Sequence, residues 1–179
     1  TEFQLGGTIE MPSVEGKTIY ASGKGTFTEF VINRVLTLKE LVPGKDITVE
    51  YKDSTEELVK LATEGEIDLC ILPEPFATKV IADNQDCSKL IDFRKAWKQE
   101  SDSELVQSVV IARTDYINEN PEIISEFMIF NEVSVNYLSA NPEVSANFLT
   151  EKGWFDVVEI AYVTIPASNI VYMEGEKMK

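Results

Sequence analysis

The sequence contains no histidine. This absence excludes Ser-His-Asp and Cys-His catalytic relays, histidine-ligated metal ions and acid–base steps through an imidazole. An enzyme built on this chain would have to work with carboxylates, lysine, tyrosine or cysteine. The composition therefore excludes histidine-dependent chemistry before any motif is considered.

Cysteine and long apolar runs are also scarce. The only two cysteines, Cys70 and Cys87, are too few for a disulfide scaffold. Cys70 lies in the run Leu69-Cys70-Ile71-Leu72, which is typical of a buried, inert thiol. No apolar stretch reaches the roughly 18 residues that a membrane-spanning helix needs. The first residues lack methionine, a basic segment and an apolar segment, so we expect no signal peptide within this chain.

Basic residues are half as common as acidic ones. The chain has 16 Lys and Arg against 31 Asp and Glu, which gives a net charge of −15. A nucleic-acid backbone is repelled by that field, and we expect no nucleic-acid partner. The 44% hydrophobic content over 179 residues is typical of one globular domain, or one domain with an appendage.

The first half of the chain alternates predicted strands and helices after an irregular lead-in segment, residues 1–16. Two capping boxes, Thr26 with Glu29 and Ser54 with Glu57, predict helix starts. Short connections between these elements indicate an α/β fold with a mostly parallel, helix-covered sheet. Strands are predicted at 17–21, 46–51, 67–72 and 89–93, and helices from Thr26 to Lys39, from Ser54 to about Gly65 and from Phe76 to about Ala82.

The second half is predicted to be mainly helical. Residues 106–112 form an apolar, β-branched run that predicts a strand, and residues 170–173 are also strand-like. Asn120-Pro121-Glu122 and Asn141-Pro142-Glu143 each predict a helix start, with Asn at the N-cap, Pro at the first helical position and Glu in the first turn. Gly153 is predicted to end the second of these helices.

The loop after the first predicted strand is the first candidate binding site, because open α/β sheets bind ligands outside the carboxyl ends of their strands. It reads Ser22-Gly23-Lys24-Gly25-Thr26. Its glycines let a ligand approach the backbone, and the helix that begins at Thr26 directs free N–H groups towards it. A small anion or a polar ring edge fits such a loop. The alternative is a glycine-rich turn whose Thr26 only caps its own helix.

The loops after the second and third strands are two further candidates. Lys52 can reach an anion and Tyr51 can stack on a ligand, or the pair can be a solvated lysine beside a helix cap. In Pro73-Glu74-Pro75-Phe76 the prolines fix the directions of Glu74 and Phe76, so the carboxylate can accept a ligand N–H and the ring can line a pocket. The alternative is that Glu74 caps the next helix and Phe76 belongs to the core.

These motifs, in their order, resemble the type II periplasmic binding protein superfamily. Residues 16–26 and Leu72-Pro73-Glu74-Pro75-Phe76 are similar to the group of ABC transporter substrate-binding proteins for nitrate, sulfonate, taurine and thiamine precursors. The stretch 109–116, followed by Glu119-Asn120-Pro121-Glu122, is similar to the strand and helix that come after the second lobe. Since family members are longer, the resemblance implies that this chain is a second lobe with its crossover, an incomplete receptor.

The resemblance implies an extracytoplasmic, periplasmic or surface-anchored protein whose partners are a small-molecule solute and an ABC permease. It implies an α/β ligand-binding lobe over 17–105 and a crossover strand with a helical, incomplete part over 106–179. The solute would be a small organic anion or a planar heterocycle. Neither a metal nor another cofactor is expected. The ligand-binding residues would be Ser22, Gly23, Lys24, Gly25, Thr26, Tyr51, Lys52, Glu74 and Phe76.

Three other functions stay open. Regulators of the LysR type use the same fold to sense ligands, although no basic helix-turn-helix occurs in this sequence. Precursor-biosynthesis enzymes share the fold, but the pyrimidine synthase relatives depend on histidine, and we expect no enzyme. A purely structural module would show no stabilisation by any ligand.

Overall fold

The computed structural model describes residues 14–101 and 103–178. The described chain forms two compact units, the first ending at Val106 and the second beginning at Gln107. Most of the predicted lead-in, residues 1–13, lies outside the described residues. The last three residues of the lead-in, 14–16, are described. Val14 is buried in the core of the first unit, and the N–H of Gly16 donates to the carbonyl of Asp46 at 2.7 Å.

In the first unit, strands and helices alternate over the first four elements and two more helices follow, which confirms the α/β class predicted from the sequence. Residues 67–72, predicted as a strand, lie beside the first strand without forming a regular strand of their own. The elements of this unit are β1 (Thr18–Ser22), α1 (Phe27–Leu38), β2 (Thr48–Lys52), α2 (Thr55–Thr63), α3 (Phe76–Asp83) and α4 (Phe93–Glu100).

All the strand pairing around β1 is parallel. β1 pairs with β2 from Thr18 opposite Thr48 to Ser22 opposite Lys52. On the other side of β1, Tyr20 forms a single parallel bridge with Cys70. The Tyr20 N–H donates to the Leu69 carbonyl at 2.9 Å, and the Ile71 N–H donates to the Tyr20 carbonyl at 2.8 Å. The spatial order is thus the 67–72 segment, β1 and β2, with β1 in the middle.

The two faces of this small sheet are covered by different helices. On one face, Ile19 and Ala21 of β1 are buried against Ile32 and Leu36 of α1, in a core that Val49, Tyr51, Leu69 and Ile71 flank. The opposite face carries Tyr20 and Ser22, and there the Ser22 hydroxyl lies 3.0 Å from the Thr55 hydroxyl of α2. Alternation along β1 therefore separates an apolar α1 face from a more polar α2 face.

Both predicted capping signals begin helices. The Thr26 hydroxyl accepts the Thr28 N–H at 3.2 Å, and the Ser54 hydroxyl accepts the Glu57 N–H at 3.1 Å. Each supplies an acceptor to a backbone donor that the first turn leaves unpaired. Gly65 follows α2 with a φ of 72°, a left-handed conformation that glycine adopts without strain.

Three predicted strands are absent from the structure. At 89–93 the Asp92 carboxylate accepts the N–H groups of Arg94 and Lys95, so a helix begins where we predicted a strand. The crossover strand predicted at 106–112 and the strand-like run 170–173 pair with no segment of the described chain. Ile111 is 86% exposed, so β-branched composition without a neighbouring strand does not produce a strand.

The second unit is helical. The two predicted Asn-Pro-Glu starts each begin a helix, but the Asn120 and Asn141 amides donate backwards, to the carbonyls of Tyr116 and Tyr137 at 3.1 Å. Ala146, Ala161 and Ile165 form its buried core. Within the described residues, no helix is long and apolar enough to cross a membrane. The helices are α5 (Thr114–Glu119), α6 (Pro121–Ala140), α7 (Pro142–Glu151) and α8 (Val158–Ala167), followed by a 3-10 helix, Gly175–Met178.

Candidate functional site

Three loops leave the sheet at one edge. Because β1, β2 and the 67–72 segment all run parallel, their carboxyl ends meet on the same side of the sheet. Residues 23–26 follow β1, which ends at Ser22, and residues 53–54 follow β2, which ends at Lys52. Residues 73–76 follow the third segment. We call this side of the first unit the carboxyl edge. All nine residues predicted to bind a ligand lie at it or beside it.

The loop after β1 is closed by its own hydrogen bonds. The Thr26 hydroxyl donates to the Gly23 carbonyl at 2.6 Å, and the Thr26 N–H donates to the same carbonyl at 3.2 Å. The Gly25 N–H donates to the Glu29 carboxylate at 2.7 Å. Lys24 is exposed at the tip. The Gly25 backbone N–H of this candidate site is thus paired with an acidic side chain of α1.

Gly23 and Gly25 provide a matched test of this loop. Both have left-handed φ values, 82° and 78°, but a Cβ on Gly23 would lie 2.9 Å from the Thr26 hydroxyl oxygen, whereas one on Gly25 meets nothing within 4 Å. We expect Gly25→Ala to destabilise the first unit by about 1 kcal/mol, from backbone strain alone. Gly23→Ala adds the steric clash and should cost about 1 kcal/mol more. Urea unfolding measures both, and equal losses would contradict this description of the loop.

Lys52 and Tyr51 lie on opposite faces of the sheet. The Lys52 ammonium donates to the Glu50 carboxylate at 2.7 Å and lies 5.2 Å from the centre of the Tyr20 ring, on the α2 face. The hydrogen bond to Glu50 raises the pKa of Lys52. Ser22 is the strand partner of Lys52 on that face. Lys52 and Ser22 can therefore meet one ligand, whereas the Tyr51 ring packs on the other side.

The Tyr51 side chain is half-buried and packs against the core cluster on the α1 face, which includes Ile19, Ala21 and Ile32. Its hydroxyl is buried and has no hydrogen-bond partner among the described residues. Burial raises the pKa of Tyr51, and the negative charge of Glu29 raises it further. From the sequence we predicted that the Tyr51 ring stacks on a ligand. In the structure the ring packs against the core, and the hydroxyl is the group that can still form a hydrogen bond.

Tyr51→Phe tests the unpaired hydroxyl. Removing a buried hydroxyl that has no partner relieves a desolvation cost, so we expect the unliganded chain to be as stable as the wild type or up to about 1 kcal/mol more stable. Denaturant unfolding gives the result. A loss of more than about 1 kcal/mol would show that the hydroxyl has a bonding partner in the folded chain.

The third loop is built around Glu74. One carboxylate oxygen accepts the Thr78 N–H at 3.1 Å and the Thr78 hydroxyl at 2.8 Å, while the other lies 3.3 Å from the Lys89 ammonium. Glu74 thus caps the start of α3, the alternative that the sequence left open, and it also forms a partly buried ion pair. Phe76 is the first residue of α3 and is half-buried.

The structure connects the predicted residues in three separate groups. Ser22 and Lys52 share the α2 face, Gly25 is bonded to Glu29, whose charge also acts on Tyr51, and Glu74 is joined to Lys89. Sequence reasoning missed Glu29, Thr55 and Lys89 as neighbours of the site. Glu29 carried a signal, since its capping spacing placed it beside the loop. No sequence pattern marked Lys89, because only the path of the chain after α3 brings it close to Glu74.

The opposite edge of the sheet holds a shallow depression. It has a volume of about 300 Å³ and lies where β1 begins. No sequence motif drew attention to it. Across the described parts of the chain, no group of three or more Cys, Asp and Glu side chains is arranged to hold a metal ion. The depression is lined by Gly16, Lys17, Thr18, Tyr20, Glu66, Ile67 and Asp68.

Comparison with models of known protein families, with curated proteins and with solved structures finds no match to this chain.

Proposed function

We propose that this chain is a solute-binding lobe of an ABC importer receptor and that it binds its solute at the carboxyl edge. The observation that supports this proposal best is the parallel order of the 67–72 segment, β1 and β2. That order brings three polar loops to one side of the sheet, where open α/β folds place their ligands. The class of protein that we propose, an ABC importer receptor, follows from the resemblance of the sequence to type II periplasmic binding proteins.

The groups at this edge suit a small polar solute. The Gly25 N–H already pairs with a carboxylate at 2.7 Å, so an acidic group of a solute can replace Glu29 there. The Ser22 and Thr26 hydroxyls both donate and accept. Glu74 accepts N–H groups, as it does from Thr78. A small organic anion would use the first loop and Lys52, whereas a planar heterocycle would use Glu74 and the half-buried ring of Phe76.

In this proposal, capture works by hinge closure. A solute that bridges this lobe and a second lobe stabilises the closed state by its differential affinity for that state. The closed receptor then docks on the membrane permease. The receptor works on the extracytoplasmic side of the membrane, and it performs no catalysis. Within one lobe, half of the contacts are available, so binding to this chain alone should be weak.

A ligand screen tests the proposal. Nitrate, aliphatic sulfonates, taurine and pyrimidines are added to the chain, and the unfolding temperature is measured at rising concentration. A solute at a hundred times its dissociation constant adds about 2.7 kcal/mol to the free energy of unfolding. The proposal expects a saturable rise with at least one of these classes. Because one lobe alone should bind weakly, the titration is carried to the solubility limit of each solute. The proposal is contradicted if none raises the unfolding temperature there.

A further inference from the structure

The two cysteines of the chain lie in the same layer of the first unit. Cys70 is the bridge partner of Tyr20, and partners in a β-ladder project from the same face of the sheet. Its neighbours Leu69 and Ile71 pack into the core on the α1 face. Cys70 therefore projects from the opposite face, where Ser22 meets α2.

Cys87 reaches this layer from the loop after α3. Its thiol donates to the Ala62 carbonyl of α2 at 3.8 Å. The Asn84 amide holds the same loop by donating to the Ala62 and Thr63 carbonyls, each at 3.3 Å. Ala62 is itself buried on α2, which packs against β1 and α3. The loop is thus fixed to the helix that covers the Cys70 face.

Both thiols are free and half-buried. We propose that Cys70 and Cys87 form a redox pair, which a small-molecule disulfide such as oxidised glutathione converts into an intramolecular disulfide. The placement of both thiols beside α2 carries this proposal. The contribution of Cys87 to the raised pKa of Cys70 agrees with that placement. The inference is independent of solute binding.

The exchange proceeds in two steps. The Cys87 thiolate attacks one sulfur of oxidised glutathione, which forms a mixed disulfide and expels a glutathione thiolate. The Cys70 thiolate then attacks the Cys87 sulfur, forms the Cys70–Cys87 bond and expels the second glutathione thiolate. The protein loses two electrons and two protons, and one glutathione disulfide becomes two glutathione thiols.

Burial sets the order of these steps. It raises the pKa of Cys70 to about 11, with a smaller contribution from Cys87. At neutral pH almost no Cys70 is thiolate, so Cys87 makes the first attack and the closing step is slow. Closing should become faster as the pH rises towards that value. The resulting ring encloses residues 73–76 and α3, so oxidation fixes the loop that carries Glu74.

The test is mass spectrometry of the reduced, full chain after incubation with oxidised glutathione at mildly alkaline pH. The wild type should lose two hydrogen atoms, and a non-reducing digest should contain a peptide that links Cys70 to Cys87. Cys70→Ser should stop at one glutathione adduct on Cys87. Cys87→Ser should remain unmodified over the same time, because Cys70 is the poor nucleophile.

Three outcomes would overturn the proposal. The first is a wild-type chain that keeps one or two glutathione adducts without losing hydrogen. The second is a disulfide between two copies of the chain. The third is Cys87→Ser reacting as fast as Cys70→Ser, which would contradict the assigned order of attack. Adding dithiothreitol must restore the original mass if the change is the reversible disulfide.

Discussion

Ile32→Ala is expected to lower the free energy of unfolding of the first unit by about 3 kcal/mol. Ile32 is 1% exposed and packs with Ile19, Ala21 and Leu36, which join α1 to β1. Truncation removes apolar contacts and leaves a cavity that the rigid sheet cannot fill. Urea unfolding followed by tryptophan fluorescence in a Trp154→Phe background reports this unit alone, through Trp97.

Leu90→Ala is the matched control for that substitution. It removes the same number of carbon atoms from the same unit, but Leu90 is 42% exposed. Its cost should stay below about 1 kcal/mol, because surface truncations lose little buried area. If the two variants were equally destabilised, the core between α1 and β1 would not be the main source of stability in this unit.

The double variant Thr26→Val with Glu74→Ala is expected to weaken binding of the screened solute by about a hundredfold, since each substitution removes a polar partner. Valine keeps the shape of threonine and removes the hydroxyl that closes the first loop onto Gly23. Alanine removes the carboxylate of the third loop. Isothermal titration calorimetry measures the dissociation constant, and circular dichroism checks that the double variant remains folded.

Two conservative variants separate direct contact from loop support. Thr26→Ser keeps the hydroxyl and should bind as the wild type does. Lys89→Gln breaks the ion pair with Glu74 but keeps the carboxylate, so its affinity should change little. A loss as large in Lys89→Gln as in Glu74→Ala would mean that the ion pair, rather than a ligand contact, gives Glu74 its importance.

Much of the first unit could be predicted because local signals agree there. Thr26, Ser54 and Gly65 act on their own neighbours, so their effects depend little on the rest of the chain. Strands depend on partners. The run 106–112 has the composition of a strand but pairs with nothing in the described chain, and at 89–93 the Asp92 cap outweighs a short apolar run. Residues 67–72 lie between a paired strand and an unpaired run, because they form a single bridge, to Tyr20.

The candidate site was predicted at the level of loops, not of side-chain contacts. Alternation of strands and helices predicts that the strands are parallel, so the common edge could be foreseen. Which faces Tyr51 and Lys52 occupy depends on register, and a shift of one residue would exchange them. The Glu74–Lys89 pair joins residues from either end of α3, a contact that no local pattern encodes.

The central claim is that this chain binds its solute at the carboxyl edge, and amide chemical-shift mapping tests it most directly. The solute that best stabilises the chain is titrated into isotope-labelled protein. We predict that the largest saturable shifts occur at residues 22–26, 52–54, Glu74 and Phe76. Largest shifts at residues 16–18 and 66–68, around the depression on the opposite edge, would contradict the claim.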